Sequence, residues 1–292
     1  QDLSVKTVLD KLAYPNPTVP SAERAAFQFF SAVIVLNDIV ASTCLEQSPE
    51  LLPLFSGVQT CESNSESAMR LEDVTGCQDW VFRLIGDVAA LDAWKKRNLR
   101  TGQLNREEIQ RRAAMIEARW RDGIERLGWQ QTHRDDFFIG FNSSRPLESV
   151  LNRSDCAYGL HDSQSNIRPA VTAVWAYAAR TYLLVVLLGW KPKDPEILCS
   201  VKRTISVLSE VTSPAWLRTL VWPICVTGCL AGEEDRPILR SILDKTAALG
   251  ALRSVRDAVS IMERVWRRED PDPDTWDVSK CLGSLGHKIL LV

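Results

Sequence analysis

The stretch at residues 104–128, LNREEIQRRAAMIEARWRDGIERLG, contains the signals that begin, continue and end an α-helix. Asn105 stands at the N-cap position, and Glu108, three residues later, can close a capping box. Leu104 can pack against Ile109 across the cap as a hydrophobic staple. Apolar residues then recur at intervals of three and four, at Ile109, Ala113, Ile116, Trp120, Ile124 and Leu127. The pattern predicts one amphipathic helix that ends at its closing glycine.

The same helical period recurs along most of the chain, and the alternation typical of strands is nearly absent. Asp194-Pro195 and Ser213-Pro214 each provide a cap residue followed by a proline suited to the first helical turn. We predict helices at residues 21–40, 69–96 (one helix, or two divided near Gly76 or Gly86), 105–127, 170–188, 195–210, 215–230, 236–249, 252–267 and 276–291. The fold class is therefore all-α, a single large domain of about ten helices with a long irregular connection near residues 130–168.

The composition is that of a globular chain without an excess of positive charge. Of the 292 residues, 45% are apolar and 25% are charged, and the formal net charge is −2. These values exclude a disordered or collagen-like chain and argue against direct binding of nucleic acid. The chain opens with Gln1-Asp2-Leu3, without an initiator Met or a signal peptide, so we expect a fragment of a longer protein in a reducing compartment.

The longest apolar run and the cysteines both predict a packed interior. Residues 170–190 are interrupted by Arg180, which favours a buried core helix over a membrane span. The eight cysteines include no Cys-x-x-Cys pair, and with three scattered histidines they show no zinc-ligand spacing. Cys225 and Cys229 share one face of a predicted helix. We expect thiols that pack as small hydrophobic side chains, and a redox or metal pair is the alternative.

Carboxylates and histidines give little support for catalysis. A magnesium site like that of a terpene cyclase would need two facing acidic clusters. Three residues spaced at i, i+4 and i+8 share one predicted helix face, namely Asp38, Ser42 and Glu46. Asp135-Asp136 supplies a second acidic pair, but Ile139 occupies the place of its third carboxylate, and the chain order of the two clusters is reversed. His133 and His161 lack organised partners for acid–base chemistry, so we expect no catalytic residue and no metal site.

Tryptophan is unusually abundant, with ten of the 292 residues. Buried indoles contribute large apolar areas, and a cavity lined by several of them, with a charged anchor, would bind a flat apolar ligand. Pro223 is expected to kink or split the helix begun at Ser213-Pro214, and Gly228 allows a close helix approach. Cys225 and Cys229 beside this break are then candidates for sensing thiol-reactive compounds. The candidate ligand-binding residues are Trp80, Asp92, Trp94, Arg180, Trp222, Cys225 and Cys229. The alternative is that the tryptophans only pack in the hydrophobic core and line no ligand pocket.

A set of short segments spread over the chain forms a recognisable pattern. These segments are Gly76-Cys77-Gln78-Asp79-Trp80-Val81, Ile85-Gly86-Asp87-Val88-Ala89-Ala90-Leu91-Asp92-Ala93-Trp94-Lys95, Thr181-Tyr182-Leu183, Leu220-Val221-Trp222-Pro223-Ile224-Cys225-Val226-Thr227-Gly228-Cys229-Leu230-Ala231, Arg236, Ile261-Met262-Glu263-Arg264-Val265-Trp266, Trp276-Asp277 and Ile289-Leu290-Leu291. From about Ser21 to the last residue, the chain resembles the fungal-specific transcription factor domain of the second type. That domain is the regulatory region of many fungal zinc-cluster transcription factors, including the acriflavine-sensitivity control proteins.

The resemblance implies that residues 1–292 form an α-helical regulatory domain, also called the middle homology domain. Such proteins are sequence-specific transcription factors that act in the nucleus and often control secondary metabolism or drug response. They read DNA through a zinc cluster of six cysteines, which this chain lacks, so the chain alone is expected to bind neither zinc nor DNA and to need no cofactor. Expected partners are a hydrophobic small-molecule effector, transcriptional co-regulators and a second copy of the chain, but no membrane.

Two other functions stay open at this point, because fold does not fix function. An enzyme recruited onto the same helical fold, a cyclase or a similar catalyst acting on a hydrophobic metabolite, would need carboxylates, histidines or a metal converging in a deep pocket. A scaffold would instead dock co-regulators through its long connections and would need no pocket.

Overall fold

The structure is a computed structural model that describes residues 21–52, 70–128, 163–247, 253–268, 275–286 and 289–291. Regular secondary structure within these ranges is entirely helical, and the all-α prediction is confirmed. In chain order the helices are α1 (Ser21–Leu45), α2 (Glu72–Thr75), α3 (Asp79–Arg100), α4 (Arg106–Arg126), α5 (Ser163–Leu188), α6 (Pro195–Glu210), α7 (Pro214–Leu217), α8 (Val221–Cys229), α9 (Arg236–Ala247), α10 (Arg253–Trp266) and α11 (Val278–Leu282). A 3-10 turn at Arg218–Leu220 separates α7 from α8.

Helix α5 occupies the centre of the core and packs against α3, α4, α6 and α8. From Ala170 to Val186 every side chain except that of Arg180 is buried. A helix that is apolar on all sides must be surrounded by other elements. The core helix predicted at residues 170–190 is therefore confirmed.

Two helical segments are long and apolar enough to cross a membrane by length and composition, namely Ala25–Leu45 and Ile167–Leu188. The second is 83% buried inside the fold, as expected of a core helix. The first is 33% buried, and Phe29, Phe30 and Ile34 on its outer face are exposed. Burial of α1 begins at Ala32, so its first turns lie outside the core.

Two helix starts follow the capping signals of the sequence. The Asn105 side chain accepts hydrogen bonds from the backbone N–H groups of Glu107 and Glu108, at 2.9 and 3.3 Å. Asp194 caps α6 in the same way, and Pro195 takes the first helical position. The Glu108 carboxylate binds Arg111 and Arg112 instead of closing the predicted capping box.

The chain divides at Gly76, one of the two predicted positions. Gly76 has φ 72°, in the left-handed region that glycine adopts without strain. Gly86 instead lies inside α3, where a Cβ would come within 2.3 Å of Leu52 Cδ2. Because Gly86 has no side chain, Leu52 can pack closely against α3, and the helix continues through this glycine.

The helix predicted at 215–230 is split, as expected from Pro223. Proline has no N–H and its ring clashes with the carbonyl four residues earlier, here that of Thr219 in the 3-10 turn. Ser213 precedes α7 but makes no side-chain capping bond.

Two predicted boundaries differ most from those of the structure. Helix α5 begins at Ser163 and not at residue 170, so the irregular connection predicted to reach residue 168 ends earlier, and Pro169 lies inside the helix. Residues 129–162 of that connection lie outside the described residues. The helix predicted at 276–291 is confined to Val278–Leu282, because Gly283 and Gly286, the latter with φ 89°, follow it.

Candidate functional site

Trp222 lies at the centre of an aromatic cluster formed by Phe82, Trp175, Tyr182 and Trp222. Its ring stacks on that of Trp175 with centroids 5.5 Å apart and 9° between the planes. Tyr182 meets Trp222 edge-on at 6.4 Å, and Phe82 meets Trp175 at 5.0 Å. The Trp222 indole N–H donates to Thr43 Oγ1 at 3.1 Å, which joins α8 to α1. The cluster therefore links helices α1, α3, α5 and α8.

Trp175 is only 2% exposed, yet its Nε1 has no hydrogen-bond partner among the described residues. A buried donor without an acceptor costs stability, and such groups are rare in folded proteins. The sequence placed Trp175 on a helix but did not single it out. Its position in the longest apolar run of the sequence was the available signal.

Cys225 and Cys229, both predicted site residues, lie on α8, and Cys229 also interacts with a third thiol, that of Cys281 on α11. These three residues are named the thiol cluster. The S–H groups of Cys225 and Cys281 donate to Cys229 and lower its pKa, against the opposing effect of burial. Donating to Cys229, together with burial, raises the pKa of Cys225. The indole N–H of Trp276 donates to Cys281 Sγ at 3.1 Å.

Cys281 was missed in the sequence because nothing in its local pattern relates it to α8. It sits on a five-residue helix far along the chain, and only the tertiary fold brings it to Cys229. Burial raises the pKa of the Cys281 thiol, and its hydrogen bond to Cys229 adds to the increase. The three thiols are reduced and buried.

Asp92 is a buried carboxylate that accepts hydrogen bonds from two neighbouring side chains. Its Oδ2 accepts from Lys96 Nζ at 2.9 Å and from the Tyr182 hydroxyl at 3.3 Å. Lys96 also pairs with Asp277 at 2.7 Å and with Glu46 at 3.3 Å. These four residues (Asp92, Lys96, Glu46 and Asp277) are named the charge cluster, which ties α3 to the end of α1 and to the C-terminal segment.

The pKa values within the charge cluster follow from one cation shared by three carboxylates. Burial raises the pKa of Asp92, and Lys96 only partly opposes this. Burial is the largest single effect on Glu46 and raises its pKa, but Lys96, the Ser279 hydroxyl and Arg100 together outweigh burial and lower the Glu46 pKa. Burial opposes the charge of Lys96, whereas Asp92 and Asp277 together raise its pKa.

The remaining three predicted residues lie against helix α4, away from α8. The Arg180 Nε donates to Glu117 at 3.0 Å, and its guanidinium covers the Trp120 ring at 5.0 Å. Trp94 lies beneath the Arg112 guanidinium at 4.5 Å. Trp80 packs directly against Gly123. A Cβ added to that glycine would lie within 2.4 Å of the indole ring. The seven predicted residues thus form two groups, Trp222, Cys225, Cys229 and Asp92 around α8, and Trp80, Trp94 and Arg180 along α4.

An open cleft of about 500 Å³ lies where the end of α1 meets the end of α3. It is lined by Leu45, Glu46, Gln47, Ser48, Glu50, Ala93, Lys96, Arg97 and Arg100. None of the seven predicted residues lines it, and most of the lining is charged or polar. A flat hydrophobic ligand prefers an apolar pocket with few polar groups, so the chemistry of this cleft differs from that of the predicted site.

The three described residues considered for magnesium-dependent cyclisation do not converge. Asp38 accepts a hydrogen bond from the Leu51 backbone at 2.8 Å, and Ser42 donates to the Ile39 carbonyl at 2.6 Å. Glu46 follows the last residue of α1 with φ 58°, which turns it away from the predicted shared face. His133, Asp135-Asp136 and His161 lie outside the described residues. Within the described ranges, no three His, Cys, Asp or Glu side chains are grouped to hold a metal.

The described residues form an all-α domain whose core packs aromatic and thiol side chains around a broken helix. The fungal-specific transcription factor domain matches residues 5–292 of this sequence. The chain belongs to this family, and the resemblance found in the sequence is confirmed. No solved structure matches the chain.

Curated relatives of the chain are fungal transcription regulators. Transcription factor dibT of Pestalotiopsis microspora is 32% identical over 275 residues, 93% of this chain and 42% of that protein. The trichothecene biosynthesis transcription regulator TRI10 of Fusarium sporotrichioides is 24% identical over 208 residues, 71% of this chain and 41% of that protein. The ustiloxin B cluster transcription factor ustR of Aspergillus flavus is 24% identical over 280 residues, 93% of this chain and 44% of that protein. The chain spans less than half the length of these relatives, and they support the predicted regulatory role, not the enzyme alternative.

Proposed function

We propose that the chain is the regulatory domain of a transcription factor that controls a set of secondary-metabolite genes in the nucleus. The observation that supports this most strongly is the family match over residues 5–292. Relatives whose names assign them to trichothecene biosynthesis and to the ustiloxin B cluster point to secondary metabolism. Contact with DNA would depend on a zinc-cluster module outside these 292 residues, since the chain has no basic excess of its own.

Removal of the domain from the chromosomal gene tests this role. We expect transcripts of the biosynthetic genes beside the gene to change together by tenfold or more, while distant housekeeping transcripts stay constant. The matched control is the same strain with the intact coding sequence restored at the locus. Unchanged transcripts of all biosynthetic gene clusters in the producing strain would contradict the proposal.

We further propose a binding site for a small-molecule effector. A flat, hydrophobic metabolite with one acceptor oxygen would bind against the aromatic cluster and accept the hydrogen bond of Trp175 Nε1. This proposal is supported by the buried donor on Trp175 and by its stacking on Trp222. The 3-10 turn before α8 is an element that can rearrange, because its hydrogen bonds are weaker than those of an α-helix. Cys225 and Cys229 on α8 would move with it.

Native mass spectrometry and thermal shift with a panel of flat hydrophobic metabolites test the effector site. We expect one metabolite to bind unchanged in mass and to raise the melting temperature. Trp175→Phe keeps the aromatic stack but removes the donor, and should weaken binding about tenfold, the value of one hydrogen bond. Trp94→Phe is the matched control and should bind as the wild type does. Equal binding by Trp175→Phe would contradict this site.

The same panel separates the regulator from the enzyme. It includes isoprenoid diphosphates with and without magnesium, and each mixture is analysed for products. Turnover, or diphosphate binding that depends on magnesium, would favour the cyclase alternative. Co-regulators and a second copy of the chain are the further proposed partners, tested by light scattering of the purified chain and by co-purification from nuclear extract.

A further inference from the structure

Helix α10 and the residue that follows it carry a row of arginines on the outer face. Exposed side chains at intervals of three and four residues share one side of the helix, namely Arg253, Arg256, Ser260, Arg264 and Arg267. The four arginines of this row are named the arginine stripe. The opposite side of α10 is buried and packs on α8 and α9. The core therefore uses the apolar side of the helix and leaves the arginine stripe to solvent.

Two guanidiniums of the arginine stripe have no charge partner within the part of the chain that the structure describes. Arg256 and Arg264 are exposed, and neither guanidinium is in an ion pair or a hydrogen bond with a described residue. The two residues are eight positions apart, which is about 12 Å along a helix at about 1.5 Å per residue. Two uncompensated cations at this separation attract an extended anionic partner.

The two outer arginines of the stripe have carboxylate neighbours. Arg253 lies 3.7 Å from Asp257, and Arg267 lies 2.9 Å from Glu263. Both guanidiniums are exposed, at 81% and 78% of the side chain, so these pairs contribute little to stability and can exchange partners. Along residues 253–267, four guanidiniums thus stand against two carboxylates. Residues 269–274, which carry four further carboxylates, lie outside the described residues.

A shallow cleft adjoins the second half of the arginine stripe. Its volume is about 320 Å³, and its lining consists of Ser260, Glu263, Arg264, Arg267 and Leu285. Leu285 belongs to the segment that follows α11 and provides an apolar contact beside two guanidiniums. The cleft can therefore receive one aliphatic side chain while a neighbouring carboxylate pairs with Arg264.

We propose that the arginine stripe and this cleft form a docking surface for an acidic peptide segment of a protein partner. Carboxylates of the peptide pair with the guanidiniums, which match carboxylate geometry in a bidentate manner. An aliphatic residue between them contacts Leu285. The stripe is about 20 Å long, and an extended peptide of about six residues, at about 3.3 Å per residue, covers it. This surface is separate from the aromatic cluster, and binding there depends on neither an effector nor the proposed regulatory role.

Two other kinds of anionic partner fit this surface less well. A membrane would take up the apolar side of an amphipathic helix, but that side of α10 is buried in the core. Duplex DNA presents phosphates from two strands, which would approach Asp257 and Glu263 on the two flanks of the stripe. The formal net charge of the chain, −2, further opposes DNA. A single acidic peptide follows the stripe and avoids both costs.

Fluorescence anisotropy with labelled peptides tests the docking surface. The probe is the fluorescein-labelled octapeptide Glu-Glu-Leu-Glu-Glu-Leu-Glu-Glu, and the matched probe replaces every Glu by Gln. We expect the 292-residue chain to bind the acidic probe about tenfold or more tighter than the Gln probe, with an affinity that falls as salt is added. Equal binding of the two probes, or no binding of the acidic probe at low salt, would overturn the proposal.

Charge reversal tests whether the acidic probe binds at the arginine stripe. Arg256→Glu combined with Arg264→Glu replaces two exposed cations, and should weaken binding about tenfold or more while the melting temperature stays unchanged. Arg106→Glu combined with Arg121→Glu, at exposed positions of α4, changes the net charge by the same amount and is the matched control. The control should bind the probe nearly as the wild type does. Equal losses in the two double variants would show a response to overall charge alone and would contradict this surface.

Cross-linking of the wild-type chain decides the site if the charge-reversed chain does not fold. Photo-leucine replaces the leucines of the acidic probe, and digestion followed by mass spectrometry maps the linked residues. We expect cross-links on α10 and on the segment that contains Leu285, whereas cross-links confined to other helices would overturn the proposal. A short DNA duplex that binds more tightly than the acidic probe at the same salt concentration would assign the surface to nucleic acid and would also overturn it.

Discussion

Trp175 of α5 and Trp222 of α8 stack nearly parallel, with 5.5 Å between ring centroids and 9° between ring planes. The two residues belong to the central helix and to the helix that follows the 3-10 turn. Because Trp222 also donates to Thr43, the pair fixes the position of α8 relative to both α5 and α1. A change in this stack would therefore be transmitted to three helices at once.

Truncation at the stack should strongly destabilise the fold. Trp222 is fully buried, and Trp222→Ala should lower the free energy of unfolding by about 3–5 kcal/mol, because it leaves a large cavity. Trp222→Phe keeps part of the stacking but leaves Thr43 without its donor, and should cost about 1–2 kcal/mol. Urea unfolding followed by circular dichroism measures both. Trp94→Ala, at a half-buried position, is the control, and a loss as large as that of Trp222→Ala would contradict the central role of the stack.

A pair of glycine variants separates backbone strain from steric overlap. Gly76 and Gly102 have nearly the same φ, 72° and 69°. A Cβ on Gly76 would come within 2.1 Å of the Trp216 ring, whereas one on Gly102 would meet nothing within 4 Å. We expect Gly102→Ala to cost about 1 kcal/mol from φ strain alone and Gly76→Ala to cost about 2 kcal/mol more from overpacking. Equal losses in urea unfolding would show that Trp216 does not pack against this turn.

Replacement of Lys96, the cation shared by three carboxylates, should lower the free energy of unfolding by an amount that depends on pH. Lys96→Met leaves Asp92, Glu46 and Asp277 together without their ammonium partner, and should cost about 3 kcal/mol at pH 7. The difference in the free energy of unfolding between Lys96→Met and the wild type should become smaller as the pH falls toward 4. Lys96 opposes the burial that raises the pKa of Asp92, so without Lys96 this pKa should rise further, and the folded variant should gain more stability than the wild type as the pH falls.

The second contribution to this pH dependence has the same sign. In the wild type, Glu46 has a pKa lowered in the fold, so its stabilising effect is present at neutral pH and is lost as the pH falls. Urea unfolding at several pH values between 4 and 8 measures the difference between Lys96→Met and the wild type. Lys202→Met removes an exposed pair with Glu234 at 3.5 Å and should cost less than about 1 kcal/mol at every pH. A Lys96→Met deficit that stays constant or grows toward pH 4 would contradict the charge cluster.

The fold class was predictable because local signals agree with the packing. Asn105 and Asp194 cap the helices that they were expected to cap, and Gly76 and Pro223 interrupt helices where backbone constraints require it. The errors arose where a local signal was ambiguous. The lapse of helical periodicity before Ala170 predicted an irregular connection up to residue 168, but α5 already begins at Ser163 and continues through Pro169.

The site was less predictable because its contacts join distant positions. Nothing in the sequence indicates that Cys281 reaches Cys229, or that Asp92 shares Lys96 with Glu46 and Asp277. The sequence did identify Trp222, since its proline neighbour marks the break before α8. It could not show that Trp175, one of ten tryptophans, would be the residue stacked on it.

The most direct test of the central claim, that this chain is a regulatory domain of a transcription factor, is a reporter assay with the chain attached to an unrelated DNA-binding module. The account predicts that the fusion changes reporter expression at least fivefold relative to the DNA-binding module alone, and that Trp222→Ala, which strongly destabilises the domain, reduces the change. Reporter expression equal to that of the module alone, from a fusion shown to be folded and present in the nucleus, would contradict it.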